Sequence, residues 1–304
     1  MYKNAVVFPG QGSQSVGMLS DVINEFSIAK ETLQQANEVL GFALSDIILN
    51  GPAESLNSTN NTQPALVAVE VATWRALNGK ISADVMAGHS LGEYSALVCA
   101  GALRFEDALM LVRRRGELMQ KAVPDGVGAM AAILGMADEK VEEICKLCEQ
   151  GQVVQAANYN SPGQLVIAGN KEAVERAVVA CKEGGAKRAM LLPVSGPFHS
   201  ALMLPAADEF AEYLTQFDVS DPILPVLQNA SNTFETEAQQ IRQNLVKQIA
   251  SPVRWTQSVE LLADKGAENL LEIGPGKVLT GLNKRIAKQL NSQAVNCVDA
   301  LNQL

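Results

Sequence analysis

Ala87-Gly88-His89-Ser90-Leu91-Gly92-Glu93-Tyr94 sets a serine between two glycines, in the form Gly-X-Ser-X-Gly. The short apolar run Val85-Met86-Ala87 leads into it, and a longer apolar stretch, Leu91 to Leu103, leaves it. This is strand, sharp turn and helix in the order of a nucleophile elbow, where the serine hydroxyl is lifted above the end of a sheet. The glycines are a steric requirement. A side chain at 88 or 92 would collide with the neighbouring strand or helix, because so tight a turn leaves no room for a Cβ. The stretch therefore predicts an α/β fold with the serine at the carboxyl end of a strand.

Upstream, Asn4-Ala5-Val6-Val7-Phe8 reads as a buried strand that breaks at Pro9-Gly10-Gln11-Gly12-Ser13-Gln14, a loop with exposed backbone amides. It is not a dinucleotide fingerprint, because G-x-G-x-x-G would need glycine where Ser15 stands. Gly276-Lys277 is likewise no phosphate-binding loop, since Leu271 and Val278 occupy the positions of its first glycine and its final hydroxyl residue. Residues 21–79 read as helices, the clearest from Ala65 to Leu77.

Phe105 to Ala122 reads as a helix with Ala108, Leu111, Val112, Leu118 and Met119 on one face. Arg115 lies on that face, while Arg113 and Arg114 fall to its sides. A guanidinium on an apolar face needs an anionic partner, because an unpaired buried charge costs about 3–5 kcal/mol. Either one of the chain's acids or an anionic ligand can supply it.

From Pro124 to Pro197 the pattern changes to strand 128–134, helix 139–149, strand 153–158, strand 164–168, helix 173–182 and strand 189–193. This βαββαβ order predicts a ferredoxin-like insert over 125–196, within a large domain formed by 1–124 and 197–304. Asn158 to Gly163 is read as the turn between its middle strands. The C-terminal part continues with strand 224–227, helices 241–249 and 253–262, and strand 269–273.

The chain has two histidines, so a serine that needs an imidazole base must use His89 or His199. Adjacent residues leaving a strand point to opposite sides, which turns His89 away from Ser90. His199, in the loop Gly196-Pro197-Phe198-His199, is left as the base.

Composition narrows the function. A net charge of −9 argues against a general nucleic-acid binder, which needs a basic surface. The five cysteines form no disulfide framework, and Cys145-x-x-Cys148 falls in the middle of a helix, so neither a redox nor a metal site is expected. The run from Ala96 to Leu103 is far short of a membrane span, which takes about 18 residues. A soluble, cytoplasmic protein without membrane contact is expected.

Taken together, the motifs resemble the malonyl-CoA:acyl carrier protein transacylase family, the acyltransferases of type II fatty acid synthesis. The matching stretches are Phe8-Pro9-Gly10-Gln11-Gly12-Ser13-Gln14, Gly88-His89-Ser90-Leu91-Gly92-Glu93, Arg115-Gly116 and Asn158-Tyr159-Asn160-Ser161-Pro162-Gly163-Gln164. Gly196-Pro197-Phe198-His199, Gln248 ahead of Ser251-Pro252-Val253, and Glu272-Ile273-Gly274-Pro275-Gly276-Lys277 complete a set that spans the chain. The resemblance implies an α/β-hydrolase-like large domain carrying the ferredoxin-like insert. It implies Ser90 as nucleophile, His199 as base, and the amides of Gln11 and Leu91 as oxyanion hole. By the same resemblance Arg115 binds the malonyl carboxylate, the Gln248 carbonyl orients the histidine, Asn160 lies near the site, and Phe198 limits bulk at the α-carbon. Malonyl-CoA and acyl carrier protein are the implied substrates, with no metal or redox cofactor and a monomeric enzyme. Lys187-Arg188 and Lys284-Arg285 with Lys288 are candidate docking patches for the acidic carrier protein. A serine thioesterase or hydrolase, a malonyl transferase of a polyketide pathway and a non-catalytic carrier-binding scaffold are the alternatives.

Overall fold

The computed structural model describes residues 1–194 and 196–304. The chain starts with β1 (Asn4–Phe8), followed by α1 (Ser20–Glu25), α2 (Ser27–Leu40), α3 (Leu44–Asn50), α4 (Ala53–Asn57) and α5 (Thr59–Leu77). Next come β2 (Val85–Gly88), α6 (Gly92–Cys99) and α7 (Phe105–Lys121). The middle section is β3 (Gly128–Leu134), α8 (Asp138–Cys148), β4 (Val154–Ser161), β5 (Gln164–Asn170), α9 (Lys171–Glu183) and β6 (Arg188–Leu191). A single 3-10 turn, Ala201–Met203, leads into α10 (Leu204–Leu214), β7 (Val226–Leu227), β8 (Phe234–Glu235) and α11 (Ala238–Ala250). The chain closes with α12 (Trp255–Asp264), β9 (Asn269–Ile273), α13 (Val278–Ile286), β10 (Asn291–Val295) and α14 (Val298–Asn302).

The larger sheet has the order β10-β9-β1-β2-β7-β8 and is parallel except for the terminal β7–β8 hairpin. Its inner strands β1 and β2 are apolar on both faces, as a parallel sheet covered on both sides requires. Val6, Phe8 and Met86 face the core built with α5 and α7, while Ala5, Val7, Val85 and Ala87 face Trp255, Val259 and Leu282. The strand order reverses at β1, and the loops after β1 and β2 leave the same carboxyl edge. That is where an open α/β sheet offers a binding crevice.

The smaller sheet is antiparallel with the order β4-β5-β3-β6, the ferredoxin-like arrangement of its βαββαβ elements. The period-2 alternation of its strands divides the side chains between two cores. Ile133, Leu165 and Ile167 pack with Val141, Ile144 and Val174 of α8 and α9, whereas Met130, Val166 and Ala168 turn into the main core. Cys145 and Cys148 lie on the buried side of α8, and burial pushes the Cys145 thiol up to about 12. Among the described residues no helix is long and apolar enough to cross a membrane.

Three expectations need correction. The helix read from Leu91 to Leu103 stops at Cys99, because Gly101 adopts a left-handed φ of 77° and the Ala102 amide folds back onto the Leu97 carbonyl at 2.8 Å. Asn158 to Gly163 is not a turn throughout: β4 runs to Ser161, and only Pro162-Gly163 makes the reversal. Register shifts on either side of Asn158 and Tyr159 let polar residues sit within that strand. The strand read over 224–227 is reduced to Val226–Leu227. Sequence reading passed over β8, β10, α13 and α14.

Candidate active site

The elbow is built as its glycines require. A Cβ on Gly88 would lie 1.9 Å from the Gly92 carbonyl carbon, and one on Gly92 would lie 2.1 Å from the Phe8 oxygen. The chain thus turns directly against β1 and delivers Ser90 in the left-handed region at φ 52°. Such a conformation in a non-glycine residue costs about 1–3 kcal/mol and persists only where the surroundings hold it.

His199 is the second non-glycine residue at the site in that region, with φ 60°. Its Nε2 stands 2.7 Å from Ser90 Oγ. Its Nδ1 faces two carbonyl oxygens, Gln248 at 3.0 Å and Ser251 at 3.1 Å. Carbonyls only accept, so the proton sits on Nδ1 and Nε2 presents a lone pair to the serine hydroxyl. The Gln248 carbonyl lies in the last turn of α11, where helical carbonyls lose their i+4 partners, and besides the imidazole it accepts only a long 3.4 Å bond from the Ser251 amide among the described residues. Burial, reinforced by the Arg115 cation, pushes the His199 pKa down to about 3, against the opposing pull of its backbone hydrogen bonds. His89 is turned the other way: its Nε2 is 2.9 Å from Asn160 Oδ1 and its ring is tilted against Trp255. Burial lowers its pKa as well.

Arg115 is 1% exposed and points from α7 at the same serine. Its Nη2 donates to Ser90 Oγ at 3.1 Å and to Gln248 Oε1 at 2.9 Å, and its Nη1 donates to Gln63 Oε1 at 2.9 Å. Its guanidinium carbon lies 5.6 Å from the centre of the Tyr94 ring, and its Nε has no partner among the described residues. None of the ion pairs among the described residues includes Arg115. Of its two alternatives, the structural pairing with one of the chain's acids is therefore not the one realised. Glu93 interacts with it electrostatically, but burial raises that carboxyl to about 7 and weakens it as a counter-charge. A buried cation held by neutral amides and aimed at a serine hydroxyl has the chemistry to receive an anion.

A cavity of 230 Å³ opens above these groups. Gln11 and Leu91 line it, and neither backbone amide donates to an acceptor among the described residues. Asn158 and Asn160 enter it from β4, while Met119, Met130, Val166 and Phe198 form an apolar wall. The arrangement supplies a hydroxyl, a base, two free N–H donors and a fixed cation within one small space. Among the described residues no group of three His, Cys, Asp or Glu side chains is placed to hold a metal.

The structure thus gathers Gln11, Ser90, Leu91, Arg115, Asn160, Phe198, His199 and Gln248 at one cavity or in direct contact with it. Sequence reading missed Gln63, which holds Arg115, and Asn229, whose Oδ1 accepts the Ser90 amide at 2.7 Å. It also missed the side chain of Gln248, whose Nε2 donates to the Ser90 carbonyl at 2.9 Å. Gln63 follows the polar run Thr59-Asn60-Asn61-Thr62 at the start of α5, so nothing in the sequence singles out either it or Asn229.

The acyl transferase domain family matches residues 5–301. The chain is 54% identical to the malonyl CoA-acyl carrier protein transacylase of Haemophilus influenzae, covering 99% of this chain and 98% of that protein. It is also 54% identical to the enzyme of the same name from Escherichia coli, over 97% of this chain and 96% of that one. An acyl carrier protein S-malonyltransferase from Vibrio cholerae superposes with a TM-score of 0.97 at 53% identity, covering 99% of each chain. A malonyl-transacylase solved in complex with a type II PKS acyl-carrier protein superposes with a TM-score of 0.97 at 51% identity, covering 99% of this chain and 98% of that one.

Proposed function

The chain belongs to the acyl transferase family, and we propose that it moves a malonyl group from malonyl-CoA to the phosphopantetheine thiol of acyl carrier protein. The observation that carries this reading is the buried Arg115, in no ion pair among the described residues and 3.1 Å from Ser90 Oγ. A bidentate guanidinium–carboxylate pair there would hold the free end of a malonyl group with its thioester carbonyl over the serine.

Ser90 Oγ attacks the thioester carbon as His199 Nε2 takes its proton, forming the C–O bond of a tetrahedral intermediate. The Gln11 and Leu91 amides meet its oxyanion, where removal of one such donor costs about 2.7–4 kcal/mol. Collapse breaks the C–S bond, the His199 proton goes to the departing CoA sulfur, and a malonyl-serine ester remains. The carrier-protein thiol then gives its proton to His199 and attacks the ester carbon; collapse breaks the C–O bond, and His199 returns that proton to Ser90 Oγ. Kinetics should be ping-pong. The Gln248 carbonyl stands where a hydrolase triad has a carboxylate; it fixes the imidazole tautomer but stabilises the imidazolium less. Phe198 crowds the α-carbon, and Asn160 lines the cavity from β4 with its Oδ1 on His89.

No metal or redox cofactor enters this reading. Residues 125–196 act as an inserted domain that closes the crevice, and the protein works as a cytoplasmic monomer. For docking it draws on the two basic patches. The Lys187 side chain lies against Gly135, whose amide donates to the Gly163 carbonyl at 2.7 Å, and Arg285 donates to Gln164 at 2.9 Å. Both patches therefore flank the β4–β5 turn, which suits an acidic partner.

Intact-mass measurement after mixing with malonyl-CoA tests the reading. A malonyl adduct is expected that Ser90→Ala abolishes and that holo acyl carrier protein removes. Rapid release of free malonate without a thiol acceptor would instead favour the hydrolase, and carrier-protein binding without any malonyl adduct, unchanged in Ser90→Ala, would favour the scaffold.

A further inference from the structure

Resting on the reading of Ser90 as the nucleophile, the structure assigns Asn229 as the positioning residue that holds the elbow in its reactive shape. Asn229 is 2% exposed and lies outside any strand, two residues beyond the end of β7. The parallel register pairs Ala87 with Leu227 and, carried two residues further, sets Asn229 opposite His89. In a parallel ladder the residue in that position would bond the preceding carbonyl and the following amide of its neighbour. The backbone cannot do so here, because the elbow has already turned out of the sheet. The Asn229 carboxamide makes both bonds instead: Nδ2 donates to the Gly88 carbonyl and Oδ1 accepts the Ser90 amide, each at 2.7 Å.

The carboxamide is itself aimed. The Asn229 backbone amide donates to Glu93 Oε2 at 2.7 Å, so the first turn of the helix after the elbow anchors the residue that holds the elbow. On the far side of Ser90, Gln248 Nε2 donates to its carbonyl oxygen at 2.9 Å. Because a trans peptide holds C=O and N–H antiparallel, fixing that carbonyl also fixes the direction of the Leu91 N–H. The two peptide units flanking Ser90 are thus each gripped by a side-chain amide. The Asn229 grip is the one that sets the left-handed Ser90 and carries its Oγ to 2.7 Å from His199. A misplacement of about 1 Å between nucleophile and base can cost about 10²-fold in rate.

The test compares Asn229→Leu, which keeps the branch at Cγ with no polar side-chain atoms, and Asn229→Asp, which keeps the acceptor for the Ser90 amide. Rapid-quench intact mass reads the rate of malonyl-Ser90 formation, and equilibrium binding in a Ser90→Ala background reads malonyl-CoA affinity. We expect Asn229→Leu to acylate about 10²-fold more slowly with affinity unchanged within about twofold, and Asn229→Asp to recover part of the loss. A leucine variant acylating at the wild-type rate, or losing affinity in proportion to rate, overturns the assignment. If the leucine protein does not fold, Asn229→Asp alone decides: a wild-type acylation rate overturns the assignment, and a slower rate at unchanged affinity upholds it. An absent adduct in the unmodified protein would instead reject the reading of Ser90 itself.

Discussion

Arg115 Nη2 donates to the Ser90 hydroxyl at 3.1 Å, and the same oxygen stands 2.7 Å from His199 Nε2. Hydroxyl, imidazole and cation therefore meet at one atom. An acyl group with a carboxylate one carbon beyond its carbonyl can satisfy the guanidinium while its reacting carbon lies over the oxygen. An acetyl group leaves the cation to the neutral oxygens of Gln63 and Gln248.

Arg115→Ala should lower kcat/KM for malonyl-CoA by about 10²–10³-fold, since hydrogen bonds to charged groups contribute about 1.5–3 kcal/mol each. Acetyl-CoA should lose little, so the preference between the two shifts towards acetyl. Arg115→Lys should recover only part of the malonyl rate, because an ammonium lacks the planar fork. Steady-state comparison of both thioesters decides it, and an unchanged malonyl-to-acetyl ratio would sink the assignment of Arg115 to the carboxylate.

His199 gives the reaction an unusual pH profile. Burial and the Arg115 charge push its pKa down to about 3 from an ordinary 6.5, so the imidazole stays a free base in acid. The acylation rate should be flat from pH 8 to about 5, without a drop near 6.5. In the bound state a malonyl carboxylate would neutralise Arg115 and move the limb upward, so kcat should fall at a higher pH than kcat/KM. The stability sign follows from linkage: the unfolded chain protonates this histidine below 6.5 and the folded one resists until about 3. Its contribution is present above 6.5 and is lost as pH falls from 6.5 to 3. A kcat/KM profile breaking near 6.5 would contradict the burial argument.

Much of this fold could be read from the chain because its strands are bounded by turn residues. Asn4–Phe8, Gly128–Leu134 and Asn269–Ile273 each run from a polar or glycine start to a glycine or proline break, and the structure places them at those limits. β10 escaped because Asn291-Ser292-Gln293 lacks an apolar pattern; its place at the edge of the sheet relaxes the need for one. The groups that meet at the site were legible for separate reasons: Ser90 by its glycines, His199 by the scarcity of histidine, Arg115 by helical period. Gln63 and Asn229 were not, because a neutral amide bears no charge to account for and no spacing to recognise. Their partners appear only once α5, α7 and the β7 loop are packed together.

Glu93 predicts a pH-dependent stability of the opposite sign. Burial raises its carboxyl from 4.5 to about 7 while its Oε2 accepts the Asn229 amide. The folded state thus holds a proton that the unfolded chain releases between pH 4.5 and 7, and stability from this group is lost as pH rises through that window. Glu93→Gln keeps an oxygen acceptor for Asn229 and never ionises. It should match the wild type at pH 5 and exceed it at pH 8 by on the order of 1–3 kcal/mol. Denaturant melts at the two pH values measure this, and an equal difference at both would show that Glu93 does not titrate there.

Phe198 should set the tolerance for a substituted α-carbon. Its side chain is 7% exposed, lines the cavity wall, and packs so tightly on its own loop that a Cβ on Gly196 would lie 2.9 Å from the ring. An added methyl beside the malonyl α-carbon must displace this ring, and a methyl in an apolar pocket is worth about 1–3 kcal/mol. Phe198→Leu should raise kcat/KM for methylmalonyl-CoA relative to malonyl-CoA by roughly tenfold, and Phe198→Ala by more. Emptying the wall costs stability, about 3–5 kcal/mol for the alanine change, so the leucine variant is the cleaner probe. His199 follows directly in the chain at a strained φ of 60°, and the malonyl rate measured alongside reports whether the base has shifted. A methylmalonyl gain with the malonyl rate within a few fold assigns the effect to pocket volume; equal losses for both thioesters assign it to the histidine and remove Phe198 from substrate selection.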